Sequence, residues 1–493
     1  MKRIAQTVLP WLGALAALLF AVVLSFPYLQ NDCGYDREVF RYMGMIIANG
    51  GSPYVDGFDH KPPLLYFFHA LTHRWDPLGP WLGETALLVA ACLALFQLAR
   101  RRQWPIPLIY PIYFVALLRA WMATAGLTRT YSATFNVMAA TVLLLELPYA
   151  SLFFGLLFSM SFFLQQNDAM PLGILFLFHL YRREARVKEL AWAALGAVIV
   201  VLPIFSWFLL KGSFTAFIDQ AFLFNTRLYV GDNVLLNLPD RLKRTINDFG
   251  FRHWFMVAGI LFAFLPRKVF WNFRELRTSW LGVVFLALFA EMVMMNISGV
   301  LYQNYFAGLL AWIVLFTGEL FRVYSTHEIL PRRFVFFLLL AALYVLPNPN
   351  LSRAWKDSWE QAKKGISPAI CGSEVESYAK EVAGQRGQLY VLDQEVMHVA
   401  LNRHYNIIMP TKWIYTHFWN QLPRERWDGD RKEFQGILDG LEQYKTRYIY
   451  FVDQKEKPPF LAADLNERWF SYLLAHYDPL EKGIWRRKPQ KLP

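Results

Sequence analysis

The chain is dominated by a succession of apolar runs of about 12–22 residues, the longer of which match the roughly 20 helical residues needed to cross a bilayer core about 30 Å thick. In lipid, a helix is the natural solution because it satisfies its own backbone polar groups. The 493 residues are 55% hydrophobic and 17% aromatic. A soluble domain averages about 45–50% apolar residues, and the excess lies in these runs. They overrule the several soluble domains that length alone suggests.

Runs occur at residues 8–26, 80–98, 105–118, 131–147, 149–164, 170–181, 190–210, 254–265, 280–295, 300–321 and 334–346. They predict a polytopic α-helical membrane protein of about eleven spans. The first run follows Lys2 and Arg3 and ends at Phe26-Pro27-Tyr28. It is longer than a signal-peptide core, so it reads as an uncleaved span with a cytoplasmic N-terminus. Arg100-Arg101-Arg102, the group Arg182, Arg183, Arg186 and Lys188, Arg267-Lys268, Arg322 and Arg332-Arg333 then all fall on the cytoplasmic side. The net charge of +12 is thereby read as membrane topology, not as nucleic-acid binding. Residues 30–80, 211–253 and everything after Pro347 fall on the other side. The resulting layout is a transmembrane domain over residues 1–347, with a first external loop at 28–80, and an extracytoplasmic domain over 348–493.

The three cysteines, Cys33, Cys92 and Cys371, form neither a disulfide framework nor a metal cluster. Cys33 and Cys371 share the external side, and their pairing is open, because sequence does not supply their distance. After the turn-rich Asn348-Pro349-Asn350, helices are expected at 374–382 and 431–444 and strands at 388–392, 405–408 and 448–452. This is the pattern of a small α/β domain. It holds no nucleophile motif and no phosphate loop, so a lid or acceptor-docking module is the default reading.

The chemistry concentrates in the first external loop. Val39, Phe40, Met43, Ile46 and Ile47 recur at helical spacing, with Arg37, Arg41, Gly44 and Ala48 on a second stripe. An amphipathic helix at the outer membrane surface is expected, ended by Asn49-Gly50-Gly51. Beyond it come Tyr54, Asp56, Asp59, His60 and Lys61, and Pro62-Pro63 stiffens the entry to the next helix. Carboxylates, arginines and a lysine at head-group depth suit a sugar held on a lipid phosphate. Such a leaving group needs cations more than a general acid, and Arg37, Arg41 and Lys61 supply them. Asp36 is the candidate base for an acceptor hydroxyl. One base without a covalent intermediate implies inversion at the sugar carbon. The plain alternative is that these charges are interfacial anchors.

The block Asp36-x-x-x-Phe40-x-Tyr42-x-Gly44, followed by Gly50-Gly51-x-Pro53-Tyr54-x-Asp56-x-Phe58-Asp59-His60-Lys61-Pro62-Pro63-Leu64, resembles the first external loop of the GT-C superfamily. The resemblance is to bacterial relatives of protein O-mannosyltransferases and the lipid A aminoarabinose transferase. Tyr302-Gln303-Asn304-Tyr305-Phe306, Pro410-Thr411-Lys412 and Arg447-Tyr448-Ile449 extend it more weakly. It implies an inverting glycosyltransferase in a bacterial inner membrane, using a polyprenyl-phosphate sugar, with the family's loop Asp and Lys at Asp36 and Lys61. The acceptor is a glycan, lipid or protein. Relatives often carry Glu after the Asp, Glu before the Lys and His before the late Tyr. Here Arg37, His60 and Asn304 stand there, leaving the sugar and any divalent metal open.

Further candidates lie nearby. Asp32 is close to Asp36, although a turn role within Asn31-Asp32-Cys33-Gly34 competes. Arg119 and Arg129 flank the second outer loop and either face a donor phosphate or anchor at the interface. Asp168 reads as a helix cap or a second active-site carboxylate. Glu291 is an ionisable group inside a span. His69 and His73 have the i,i+4 spacing of metal ligands but lack a third. The rival function is a lipid-linked glycan transporter or a polymerase. A transporter predicts internal repeats and midplane charges, whereas these charges gather at the outer edge.

Overall fold

The computed structural model describes residues 35–121, 126–229, 279–297, 305–324, 373–392, 399–413, 429–451, 463–481 and 483–489, with isolated positions between 15 and 26, 239 and 247, and 356 and 363. The expected spans 254–265 and 334–346, together with Asp32, Cys33 and Cys371, lie outside the described residues, as does most of the first span. The helices are α1 (Tyr35–Ala48), α2 (Leu64–Thr72), α3 (Leu78–Arg101), α4 (Ile109–Trp121), α5 (Thr128–Leu144), α6 (Ala150–Phe162), α7 (Gln166–Arg182), α8 (Arg186–Leu210), α9 (Phe214–Ile218), α10 (Trp280–Met294), α11 (Phe306–Tyr324), α12 (Glu376–Glu381), α13 (Val399–His404), α14 (Gly429–Gln443) and α15 (Ala463–His476). The strands are β1 (Leu389–Leu392), β2 (Tyr448–Phe451), β3 (Tyr477–Glu481) and β4 (Ile484–Arg487).

The chain divides into two compact units. A helix unit takes Met1–Gln30, Trp81–Ile204 and Gly231–Ile366, and a sheet unit takes Asn31–Pro80, Phe205–Val230 and Ser367–Pro493. In the helix unit, α4 to α8, α10 and α11 match expected spans to within a few residues at most ends. Among the described residues, three helices are long and apolar enough to cross a membrane: Leu78–Arg101, Arg186–Leu210 and Phe306–Val323. Leu195, Val198, Ile199 and Leu202 of α8 are all exposed. An apolar face without protein cover is the sign of lipid as solvent. α6 and α8 pack backbone to backbone, because a Cβ on Gly155 would strike Ala193 O and one on Gly196 would strike Leu152 O. Such small-residue crossings let membrane helices approach closely.

In the sheet unit, the strand order is β1-β2-β4-β3. β1 and β2 are parallel, with Leu389 opposite Tyr448, and β4 runs antiparallel to both β2 and β3. Every residue of β1 and β2 is buried, so both faces of this parallel pair are covered. Residues 405–408, expected as a strand, instead follow the end of α13. Asn406 there takes a left-handed φ of +56°. The segment α15–β3–β4 was not foreseen.

α1 forms where its apolar spacing predicts and ends as its glycines dictate. Gly50, at φ +78°, donates to Ile47 O at 3.0 Å, and Gly51 donates to Ile46 O at 2.9 Å. Its surroundings correct the surface-helix expectation. Val39, Phe40, Met43 and Ile46 of the apolar stripe are buried, and so are Arg37, Glu38 and Arg41. Gly44 explains part of this: a Cβ there would lie 2.5 Å from His69 Cβ, so α2 packs directly on the α1 backbone.

Candidate functional site

In each unit, one charged cluster gathers residues that the sequence singled out. In the sheet unit, Asp36 stands exposed in the first turn of α1. The next residues turn inward and meet Arg403 of α13. Arg403 Nε donates to Glu38 Oε2 at 2.8 Å, and Arg403 Nη1 pairs with Asp76 Oδ2. Arg41 Nη1 reaches Glu38 Oε1 at 3.3 Å and Asp76 Oδ1 at 3.6 Å. Arg37 Nε lies 3.8 Å from Glu38 Oε1. Burial alone would raise the Glu38 carboxyl, but Arg403 first, then Arg41 and Arg37, hold it below its ordinary range. Asp76 is likewise raised by burial and lowered further by Arg41 and Arg403. His69 borders the cluster, and burial with the neighbouring Arg41 pushes it well down, so it is neutral.

The loop after α1 is tied by its own side chains. Asp56 Oδ2 accepts from Ser52 N at 2.7 Å, and Asp56 Oδ1 pairs with Arg386. Asp59 accepts from His60 N at 2.7 Å and from the Tyr66 hydroxyl at 2.5 Å. The His60 hydrogen bond and charge, with Tyr66 and Lys61, lower the Asp59 carboxyl against the opposing effect of burial. The Tyr54 hydroxyl donates to Lys61 O at 2.6 Å, and that of Tyr66 at 3.1 Å. Thus Tyr54, Asp59 and His60 orient the backbone that presents the half-buried Lys61 at the entry to α2. The Tyr42 hydroxyl accepts from Met409 N at 2.8 Å. Phe58 N donates to Lys412 O at 2.7 Å, and the Phe58 ring stacks on Trp413 at 4.5 Å.

In the helix unit, Arg129 Nη1 donates to Asp168 Oδ1, and Ser132 Oγ to Asp168 Oδ2, both at 2.5 Å. Asn136 Nδ2 donates to Asp168 O at 2.7 Å. Arg129 lies 3.8 Å from the centroid of the Tyr305 ring. Glu291 of α10 is fully buried, against Gly308 of α11 and within electrostatic reach of Asp168 and Arg129. The structure therefore joins three sequence candidates, Arg129, Asp168 and Tyr305. It corrects the cap reading of Asp168, because Gln165 occupies the N-cap and Asp168 binds α5 instead. Arg119 Nη1 donates to Glu84 Oε1 at 2.7 Å, which makes it an internal brace. Among the described residues, no three His, Cys, Asp or Glu side chains converge as metal ligands would.

Over 99% of this chain and 100% of that one, the structure matches ArnT from Cupriavidus metallidurans, crystallised bound to undecaprenyl phosphate, with a TM-score of 0.54 and 11% identity. The chain therefore shares the fold of that protein. The Archaeoglobus fulgidus oligosaccharyltransferase matches as its zinc and sulfate complex at TM-score 0.48, 15% identity and coverage of 88% and 67%. Its apo form matches at 0.45, 14%, and 88% and 69%. No family model matches the chain, and no curated protein matches it.

Sequence reading missed Glu38, Asp76 and Arg403, and it weighed His69 only as a metal ligand. Glu38 had a signal: it lies three residues before Arg41 on the same helix. Arg403 had none, because its partners are more than 300 residues away in sequence.

Proposed function

We propose that this protein is an inverting glycosyltransferase that moves a sugar from a polyprenyl-phosphate donor to an acceptor hydroxyl at the outer face of the membrane. The observation that carries this reading is the geometry of α1: an exposed carboxylate, Asp36, directly precedes the guanidiniums Arg37 and Arg41. The fold shared with ArnT supports it, as does ArnT's capture with undecaprenyl phosphate.

On this reading, Asp36 takes the proton of the acceptor hydroxyl as its oxygen attacks the anomeric carbon from the face opposite the phosphate. The bond from that carbon to the phosphate oxygen breaks, and the phosphate leaves with the electron pair. Arg37, Arg41 and Lys61 stabilise the developing anion. Asp32, Tyr54, Asp56, Asp59, His60, Arg129, Asp168 and Tyr305 are further candidates for substrate binding. Residues 1–347 form the membrane-embedded catalytic part, and 348–493 an extracytoplasmic module. The N-terminus is cytoplasmic, and the host membrane is a bacterial inner membrane crossed about eleven times.

The test is sugar transfer by the purified protein in liposomes, with a panel of radiolabelled polyprenyl-phosphate sugars and a membrane extract as acceptor. Asp36→Asn is expected to lower transfer by about 10²-fold or more. Undiminished transfer by a normally abundant Asp36→Asn protein sinks the assignment of the base. Movement of labelled lipid across the vesicle wall without cleavage favours a transporter.

A further inference from the structure

The acids of the sheet-unit cluster are not shared evenly. Arg403 holds the near oxygen of each, with Glu38 Oε2 at 2.8 Å and Asp76 Oδ2 in direct contact. The loop arginines take the longer contacts: Arg41 at 3.3 Å and 3.6 Å, and Arg37 at 3.8 Å. All of these groups are buried or nearly so, so their mutual attraction is weakly screened. A carboxylate that lost Arg403 would retain its charge and turn to the nearest remaining guanidinium. For Glu38 and Asp76, that is Arg41.

We infer that Arg403 is a positioning residue for an anionic lipid phosphate. By occupying Glu38 and Asp76, it keeps both acids from closing on Arg41 and Arg37. The inference rests on the reading that those two arginines receive the donor phosphate. Arg403 itself need not touch the substrate. It sets how much of the loop's positive charge is committed to internal acids, as charge placement in a buried site governs affinity for an ion of opposite sign. The neighbouring contacts, Met409 N to Tyr42 and Trp413 on Phe58, hold the segment that delivers Arg403 to α1.

The logic makes a reversal measurable. Removing Arg403 weakens anion binding, and removing one of the acids it occupies restores the balance. The experiment is binding of sugar-free polyprenyl phosphate to the full-length protein in liposomes, with donor KM and kcat measured in parallel. Arg403→Gln is expected to weaken binding about tenfold and to raise KM more than it lowers kcat. Adding Asp76→Asn to Arg403→Gln should bring binding back to within about threefold of the parent. A brace with a purely structural role predicts the opposite, because the second substitution removes another contact. Should Arg403→Gln fail to accumulate, Arg403→Lys keeps the charge but loses the fork that spans both acids. It should bind more weakly than the parent and be rescued by Asp76→Asn. Parent-like binding by the Arg403 variant, or no recovery in the double variant, overturns the inference. A parent that binds no polyprenyl phosphate overturns the phosphate reading itself, and this inference with it.

Discussion

The two buried charge clusters differ in what surrounds their carboxylates. In the helix unit, Asp168 meets one guanidinium, one hydroxyl and, through its backbone, one amide, all from α5. In the sheet unit, Glu38 and Asp76 meet three guanidiniums, two from α1 and one from α13. The first arrangement saturates a single acid and fastens two helices. The second sets cations against acids at unequal distances, so a change in one partner redistributes the others. Burial of charge is common to both. The mixture of neutral and charged partners is what distinguishes them.

The comparison can be broken first through Arg129. Arg129→Met strands Asp168 inside the helix unit and should cost about 3–5 kcal/mol. Thermal unfolding of the full-length protein in detergent reads this loss. Substituting Asp168→Leu as well should recover most of it, and a single variant as stable as the parent would remove the fastening role. Next, Gly44→Ala pushes a methyl into the His69 backbone and should destabilise the sheet unit by about 1–3 kcal/mol. By contrast, Gly173→Ala in α7, where a Cβ meets nothing within 4 Å, should be neutral or stabilising by up to about 1 kcal/mol.

Acid sharpens the contrast. Glu38, Asp76 and Asp59 all have folded values depressed below the unfolded ones. Their stabilisation is therefore complete above the ordinary carboxylate range. It is lost as pH falls below about 4 and through the folded values, at up to about 1.4 kcal/mol per pH unit for each group. Pepsin digestion at stepped pH should open residues 399–413 as the acids protonate. Unchanged protection down to pH 2 would contradict the ionic account. The smallest effect is expected from Arg386→Met, which breaks a part-exposed pair with Asp56 and should cost no more than about 1 kcal/mol.

Much of the helix unit was legible because lipid imposes length and polarity on each segment independently. The spans at 131–147, 149–164 and 280–295 needed no knowledge of their neighbours. α1 was legible by periodicity, but its burial was not: Arg37 and Arg41 look like a wet face until Glu38, Asp76 and Arg403 are brought beside them. Asp168 looked like a cap because a carboxylate in a first turn is favourable there in any context. Its partner Arg129 becomes visible only when α5 and α7 pack. Residues 405–408 are apolar enough for a strand, yet the turn at Asn406 aims them at α1. Tyr42 then takes the Met409 amide. Local rules reached what local physics decides, and the long-range arginine lay beyond them.

Glu38 and Arg403 are 365 residues apart, and this spacing has a consequence for biosynthesis. α1 leaves the ribosome early, but its electrostatic counterpart is translated only after the intervening segments have been inserted. Until then, Glu38 and Asp76 have only the loop arginines as cationic partners in this cluster. On the proposed mechanism, a chain truncated before residue 403 would enter the membrane with its loop helix in the neutralised arrangement. On that mechanism, donor-binding competence would come only once α13 has been made.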